Sequence, residues 1–405
     1  MENLSTNTPS GSGPQLQYQR ELVINGFTNL ERKYSSERTS IEEDPWSFPF
    51  NHHGMNSREF LYDRLFSTLL PRLKDQITAI SATLDPVNMK TDPVSKLKRV
   101  LEIQSELDYN ITQIDCAFLV ICPENVSADD HTDDQGLEHF KAYRLVELKN
   151  EFTFALKEIC RFFRVTSMYI QQMRPKLRGF FGDINISNCG KSAKDAVYSI
   201  EHTIKHPRRS ELDIVANKAK RAVCLLDERL IDFISLVDPD APPGYLLHRR
   251  FDIMTHQPLI HLAKLTIPIM KLSNLFFKKL SQLRMNCQAP PLFTQMNSDQ
   301  LKSLCESTES VVRNLSGLMH EFYEVDEMFE DQAVDFRSFT QSVEQITTCL
   351  EGPLLSVLLY LVPLTNNPRD ENYYQSWFAA WNTTINTAIR KFVQAAKNLQ
   401  PNHLA

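Results

Sequence analysis

A chain of 405 residues, 42% hydrophobic and 23% charged, can bury a large core and is long enough for two domains. Only 11 glycines argue against a sandwich with many tight turns, and a net charge of −6 makes no global electrostatic case for nucleic acid. Eight cysteines lie singly, at 116, 122, 160, 189, 224, 287, 305 and 349, so neither a zinc site nor a dithiol motif shows. Most fall within apolar helical patterns, where a thiol acts as a small hydrophobe, and a reducing compartment is expected.

Residues 1–14 are rich in Ser, Thr, Gly and Pro and read as a disordered tail. No basic start leads into an apolar run, so an intracellular location, cytoplasmic or nuclear, is expected. The first helix should run from Gln15 to about Tyr34, with Val23, Phe27, Leu30 and Tyr34 on one face. DPWSFPFNHHG at 44–54 forbids regular structure and reads as a loop pinned by its aromatics. Asn56 with Glu59 predicts a capped helix through Phe66, Leu70, Leu73, Ile77, Ile80 and Leu84, kinked at Pro71.

Asp92-Pro93 is a strong start signal, and apolar positions from Leu97 to Ile121 make the next helix. The acidic stretch 123–136 reads as an exposed linker, without the ligand spacing of a calcium loop. A long helix is expected from Leu137 to about Met173. KLRGFFGDINISNCGKS at 176–192 ends in Gly190-Lys191-Ser192, which imitates the close of a phosphate-binding loop. The required first glycine is Asn185 instead, and no apolar strand precedes it, so nucleotide binding is set aside.

Ser210 with Asp213 opens a further helix that ends before DPDAPPG at 238–244. Then comes PLIHLAKLTIPIMKLSNLFFKKL (258–280), thirteen of whose nineteen residues from Leu259 to Phe277 are apolar if Pro268 is counted. Its polar residues His261, Lys264, Lys271, Asn274 and Lys278 fall on one narrow helical stripe. This is the pattern of a helix with neighbours on most sides, and its lysines interrupt it too often for a membrane span. Asn297 with Gln300 caps the next helix; Phe336 to Leu361 makes another, kinked near Gly352-Pro353; Tyr374 to Leu399 makes the last. In that helix Trp381 shares the seam of Ile385, Ala388 and Phe392 and reads as core, with Trp377 at its edge.

The fold expected is all-α: long antiparallel amphipathic helices in one or two bundles, with no sheet. The layout is an N-terminal bundle over 15–172, a linker over 173–195 and a C-terminal bundle over 196–400.

The PWSFPF segment and the helices LLPRLKDQITAISATL, LKRVLEIQSELDYNITQI, LTIPIMKLSNLFFKKL and SWFAAWNTTINTAIRKFVQAA together resemble an expanded family of uncharacterised helical proteins of rust fungi. The resemblance covers most of residues 45–400 and supplies no catalytic residues to carry over. More distantly, the layout of long helices is similar to cyclin-D-binding and vinculin-type bundles, a likeness of architecture that implies no function.

No catalytic, metal or cofactor constellation assembles from the sequence, no cofactor is expected, and no small-molecule substrate is identified. His52-His53 read as loop residues, while His206 and His248 sit among basic neighbours. Charge is uneven. Residues 174–221 hold eleven Lys/Arg against five Asp/Glu, and 321–335 hold seven acidic residues and no basic ones. Within the first run, Lys205, Arg208, Arg209, Lys218, Lys220 and Arg221 form a candidate docking surface for an anionic partner; the plainer reading is a solvated face. The functional expectation is a non-enzymatic scaffold or adaptor that binds an unknown protein partner. A peripheral membrane binder, suggested by the basic run and GFFG at 179–182, stands second, and an enzyme third. Nucleic acid is not expected.

Overall fold

Every regular element among the residues described by the computed structural model is helical, with no strand, as the apolar three–four periodicity requires. Those residues are 12–35, 54–122, 134–172, 181–238, 240, 253–287, 289–329 and 336–399. Most of the aromatic loop at 44–54, most of the acidic and DPDAPPG stretches, and His52, His53 and His248 lie outside them. The chain divides into an N-terminal unit, Met1–His131 with Arg144–Pro207, and a C-terminal unit, Thr132–Tyr143 with Arg208–Ala405.

In the N-terminal unit α1 (Ser12–Tyr34) starts inside the stretch expected as a tail. α2 (Gly54–Arg64) begins two residues before the cap expected at Asn56 and continues through a π-turn, Leu65–Leu69, into α3 (Leu70–Thr83). That π-turn is the form the irregularity at Pro71 takes. Proline has no N–H and its ring crowds the preceding turn, so a wider turn ahead of it relieves both. α4 (Pro86–Thr91) and α5 (Pro93–Ile121) follow, each opened by an aspartate and a proline: Asp85 accepts from Val87 N–H and Asp92 from Ser95 N–H.

α6 (Ala142–Gln172) packs on α1 through Phe27–Phe163 and on α5 through Phe118–Phe152, with ring centroids 5.6 and 4.8 Å apart. α7 (Phe181–Ile204) completes the unit. It replaces the linker expected at 173–195 with helix over 181–195, residues 173–180 lying outside the described ones, and the division between units falls after Pro207. The Gly, Ser and Asn content of 185–192 reads as loop, but Cys189, Ser192, Ala193, Ala196 and Ile200 are buried. Small residues let α7 close onto its neighbours, and packing overrides local propensity. Gly190-Lys191-Ser192 therefore lies within a helix, not in a phosphate-cradling loop.

The C-terminal unit is a ring of helices in the packing order α8 (Glu211–Val237), α9 (Gln257–Leu283), α12 (Pro368–Leu399), α11 (Arg337–Ser356) and α10 (Ser298–Glu327), with α10 closing back onto α8. Both expected capping boxes form, Ser210 with Asp213 and Asn297 with Gln300. α9, the helix singled out by its apolar run, packs on α8, α12 and α10 and buries Leu259, Leu262, Ile269, Phe276, Phe277 and Leu280. Trp381 is buried and donates from Nε1 to the Leu272 carbonyl at 2.8 Å, while Trp377 sits half-buried at the edge.

α11 continues as α-helix across Gly352-Pro353. The irregularity follows as a second π-turn, Val357–Leu361, two residues ahead of Pro363. The rod Arg337–Leu364 is long and apolar enough to cross a membrane by length and composition, and 44% of its most apolar window is buried inside the protein. Core helices pass the same test, and Phe339, Val343, Ile346 and Leu350 bury their side chains in the ring.

The helix expected from Leu137 is broken. Residues Gln135–Phe140 form a 3-10 turn with Glu138 at a φ of 51°, and α6 starts only at Ala142. The break lets Lys141 enter the C-terminal unit. Its ammonium, fully buried, contacts both oxygens of the equally buried Glu211 at 2.9 and 3.1 Å and the Thr294 carbonyl at 2.8 Å. Thr294 N–H in turn donates to Glu211. Asp134, expected in an exposed linker, is also buried and accepts from the backbone N–H of Ala142 and Ser298, the first residues of α6 and α10.

Candidate interaction surface

The six basic residues of the expected docking surface are divided between the two units. Lys205 lies exposed beyond α7 in the N-terminal unit; the other five belong to the C-terminal unit. Arg208 is exposed at the end of a short 3-10 turn, and Arg209 is half-buried. On α8, successive residues turn by about 100°, so Lys218 and Arg221 share one flank and Lys220 takes the other. His206, among these cations, is buried with Nδ1 3.3 Å from a Glu151 carboxylate oxygen.

Lys220 faces towards α9. Three contacts align α8 and α9 antiparallel: Met254 N–H to the Leu236 carbonyl, the Asn274 amide to Asp227, and Arg284 to Asp213. Lys220 stands one heptad before Asp227, on the same flank. Beside it runs the polar stripe of α9. His261, Lys264, Lys271 and Lys278 are all exposed, and among the described residues no side chain of these four, nor that of Lys220, has an ion-pair or hydrogen-bond partner. Pro268 and Leu275, also exposed, alternate with the lysines along the same line. The proline ring projects to solvent on the outer side of the helix, where a lost backbone hydrogen bond can be replaced by water.

Lys279, next in sequence, is engaged. It donates to the Tyr373 hydroxyl at 3.0 Å and lies 5.0 and 5.1 Å from the ring centres of Tyr373 and Trp377. Asp213, at the far end of α8, is also committed: burial works to raise its carboxyl, but the Ser210 hydroxyl and Arg284 guanidinium outweigh it and hold the group below its ordinary value.

The division of the chain after Pro207 recurs in its family resemblance. Residues 58–208 match the family model described as "Domain of unknown function (DUF8723)", and residues 210–394 match "Domain of unknown function (DUF8721)". Two domains of unknown function cover the chain. Among curated proteins and among solved structures, nothing matches it. The whole lysine row lies within the second matched domain.

A second basic groove lies in the N-terminal unit between α1 and α6, with a volume of about 490 Å³ and Arg32, Lys157, Arg161 and Arg164 in its lining. Here the cations are largely engaged: Arg164 pairs with Glu31 at 2.7 Å, and Arg161 with Glu158 at 3.1 Å. No group of three or more His, Cys, Asp or Glu side chains suited to a metal ion occurs among the described residues. The cysteines are free thiols, and burial pushes Cys160 up to about 12 and Cys122 up to about 11, which leaves neither ionised at neutral pH.

The stripe on α9 was visible in the sequence, but only as the wet edge of a core helix. That Lys264, Lys271 and Lys278 meet no acid among the described residues depends on the neighbouring helices, and no sequence pattern on α9 carries it. The node at Lys141 and Glu211 gave no signal at all, since its members are seventy residues apart.

Proposed function

We propose that this chain is a non-enzymatic helical scaffold or adaptor that works by binding another protein. The observation that supports it is the outer face of α9: a row of exposed lysines without ion-pair partners among the described residues, held on a helix whose opposite side is locked into the core. A rigid, pre-arranged face loses little conformational freedom on binding. Free thiols throughout the chain support a reducing compartment as its site of action. The resemblance to the helical proteins of rust fungi fits a chain covered by two domains of unknown function.

The test is quantitative cross-linking and affinity capture from source cells, comparing wild type with the triple variant Lys264→Glu, Lys271→Glu and Lys278→Glu. A protein recovered with wild type and lost with the variant supports the reading; identical recovery overturns this face as the binding surface. The same lysines, with Leu275 exposed among them, also suit a peripheral membrane protein. Co-sedimentation with phosphatidylserine vesicles that the triple variant abolishes would favour that second reading.

A further inference from the structure

We infer that the partner of the α9 face is an acidic helix, with carboxylates repeating every seven residues, laid along the row Lys264, Lys271 and Lys278. This rests on the interaction reading above and adds the geometry of the partner to it. The three lysines are one heptad apart, so their Cα positions step by about 10.5 Å along the axis and span about 21 Å. A seven-residue repeat drifts by only about 20° per heptad around a helix. The row therefore stays on one side of α9 over its whole length.

A straight cationic line of this period matches a second helix of the same period, crossing at about 20°, the angle at which heptad positions stay in register. The residues between the lysines suit the same partner. Pro268 and Leu275 alternate with Lys264, Lys271 and Lys278 at three- and four-residue steps, giving apolar contacts between the charged ones. Lys220 on the adjacent flank of α8 widens the cationic field at the Lys278 end.

The alternatives use this pattern less well. A membrane surface needs a broad apolar face to insert, and the row offers Pro268 and Leu275. A nucleic acid duplex presents a charge about every 1.7 Å of axis, so it would accept any arrangement of cations and gain nothing from the repeat. Charge complementarity with a matched helix makes use of the spacing itself.

The experiment uses the full-length chain and a fluorescently labelled synthetic helix of three heptads carrying one glutamate per heptad at matching positions. A control peptide has the same composition with the glutamates placed irregularly around the helix. Anisotropy should show the matched peptide binding at least about tenfold more tightly than the control, a difference of about 1.4 kcal/mol. Binding should weaken as salt rises and be lost in Lys264→Glu/Lys271→Glu/Lys278→Glu. That variant should in turn bind a matched peptide carrying lysines in place of glutamates. Lys218→Glu/Arg221→Glu, on the opposite flank of α8, should bind like wild type.

Equal affinity for the two peptides overturns the inference, as does binding to neither. Binding to phosphatidylserine vesicles or duplex DNA with no preference for the matched peptide overturns it as well. Failure here is separable from failure of the interaction reading. If neither peptide binds but cellular capture still depends on the three lysines, the acidic helix falls and the interaction surface stands. If capture does not depend on them, both fall.

Discussion

The two units differ in where particular charges find their partners. In the N-terminal unit several surface cations are tied to acids of neighbouring helices. Lys33 on α1 reaches Asp108 on α5 at 2.7 Å, and Arg164 on α6 reaches Glu31 on α1. Asp108 shows the effect: burial alone would raise its carboxyl, but hydrogen bonds from Lys33 and Tyr34 prevail and lower it. Asn110, a buried neutral amide there, donates to the Leu69 carbonyl and to Gln76, both at 3.1 Å, and Arg144 and His206 are buried in the same unit. The C-terminal unit puts a full ion pair in its interior, at Lys141 and Glu211, and leaves the side chains of Lys264, Lys271 and Lys278 on α9 exposed and without partners among the described residues. Charges spent on internal cohesion cannot recognise anything else.

The deepest test of this contrast is the buried pair. Glu211→Ala would strand the Lys141 ammonium in an interior without water, and unfolding by denaturant should show a loss of about 3–5 kcal/mol. The double substitution Lys141→Met/Glu211→Met should recover much of it, because a buried pair is costly to break but not costly to replace. In the N-terminal unit, Asn110→Ala removes a neutral amide and leaves the Gln76 oxygen without its donor. The same measurement should show a smaller loss, about 2 kcal/mol.

Asp115, also in the N-terminal unit, sharpens the comparison through pH. Burial raises its carboxyl from an ordinary 3.8 to about 6. A carboxyl raised on folding binds its proton more tightly in the native state, so the penalty for charging it is fully present above pH 6 and absent below about pH 4. Asp115→Asn should therefore stabilise the protein by about 1–2 kcal/mol at pH 7.5, with the gain fading as pH falls from 6 to 4. Thermal melts of both proteins across that range check the sign. The smallest effect belongs to the α9 row: Lys264→Glu, Lys271→Glu and Lys278→Glu should each shift stability by less than about 0.5 kcal/mol, since exposed charges without partners hold nothing together. A larger loss in any of them would show that the row serves the fold.

What the sequence by itself determined is the helical class, several helix starts and the inward face of each helix. These are local properties. A capping aspartate or serine satisfies N–H groups within three residues, and an apolar seam repeats within its own helix, so Asp92-Pro93, Ser210 with Asp213 and Asn297 with Gln300 all open helices where expected. Trp381, read as core from its seam, is buried. Tertiary structure decided the rest. The loop-like composition of 185–192 became part of α7 because small residues allow close helix packing, a gain that no local propensity measures. The helix expected from Leu137 broke at Lys141 because a buried carboxylate seventy residues away draws the lysine in. The candidate surface was half legible. Sequence placed the lysines of α9 on one stripe, but whether a cation finds an acid depends on which helices lie beside it, and that is settled only when the bundle closes.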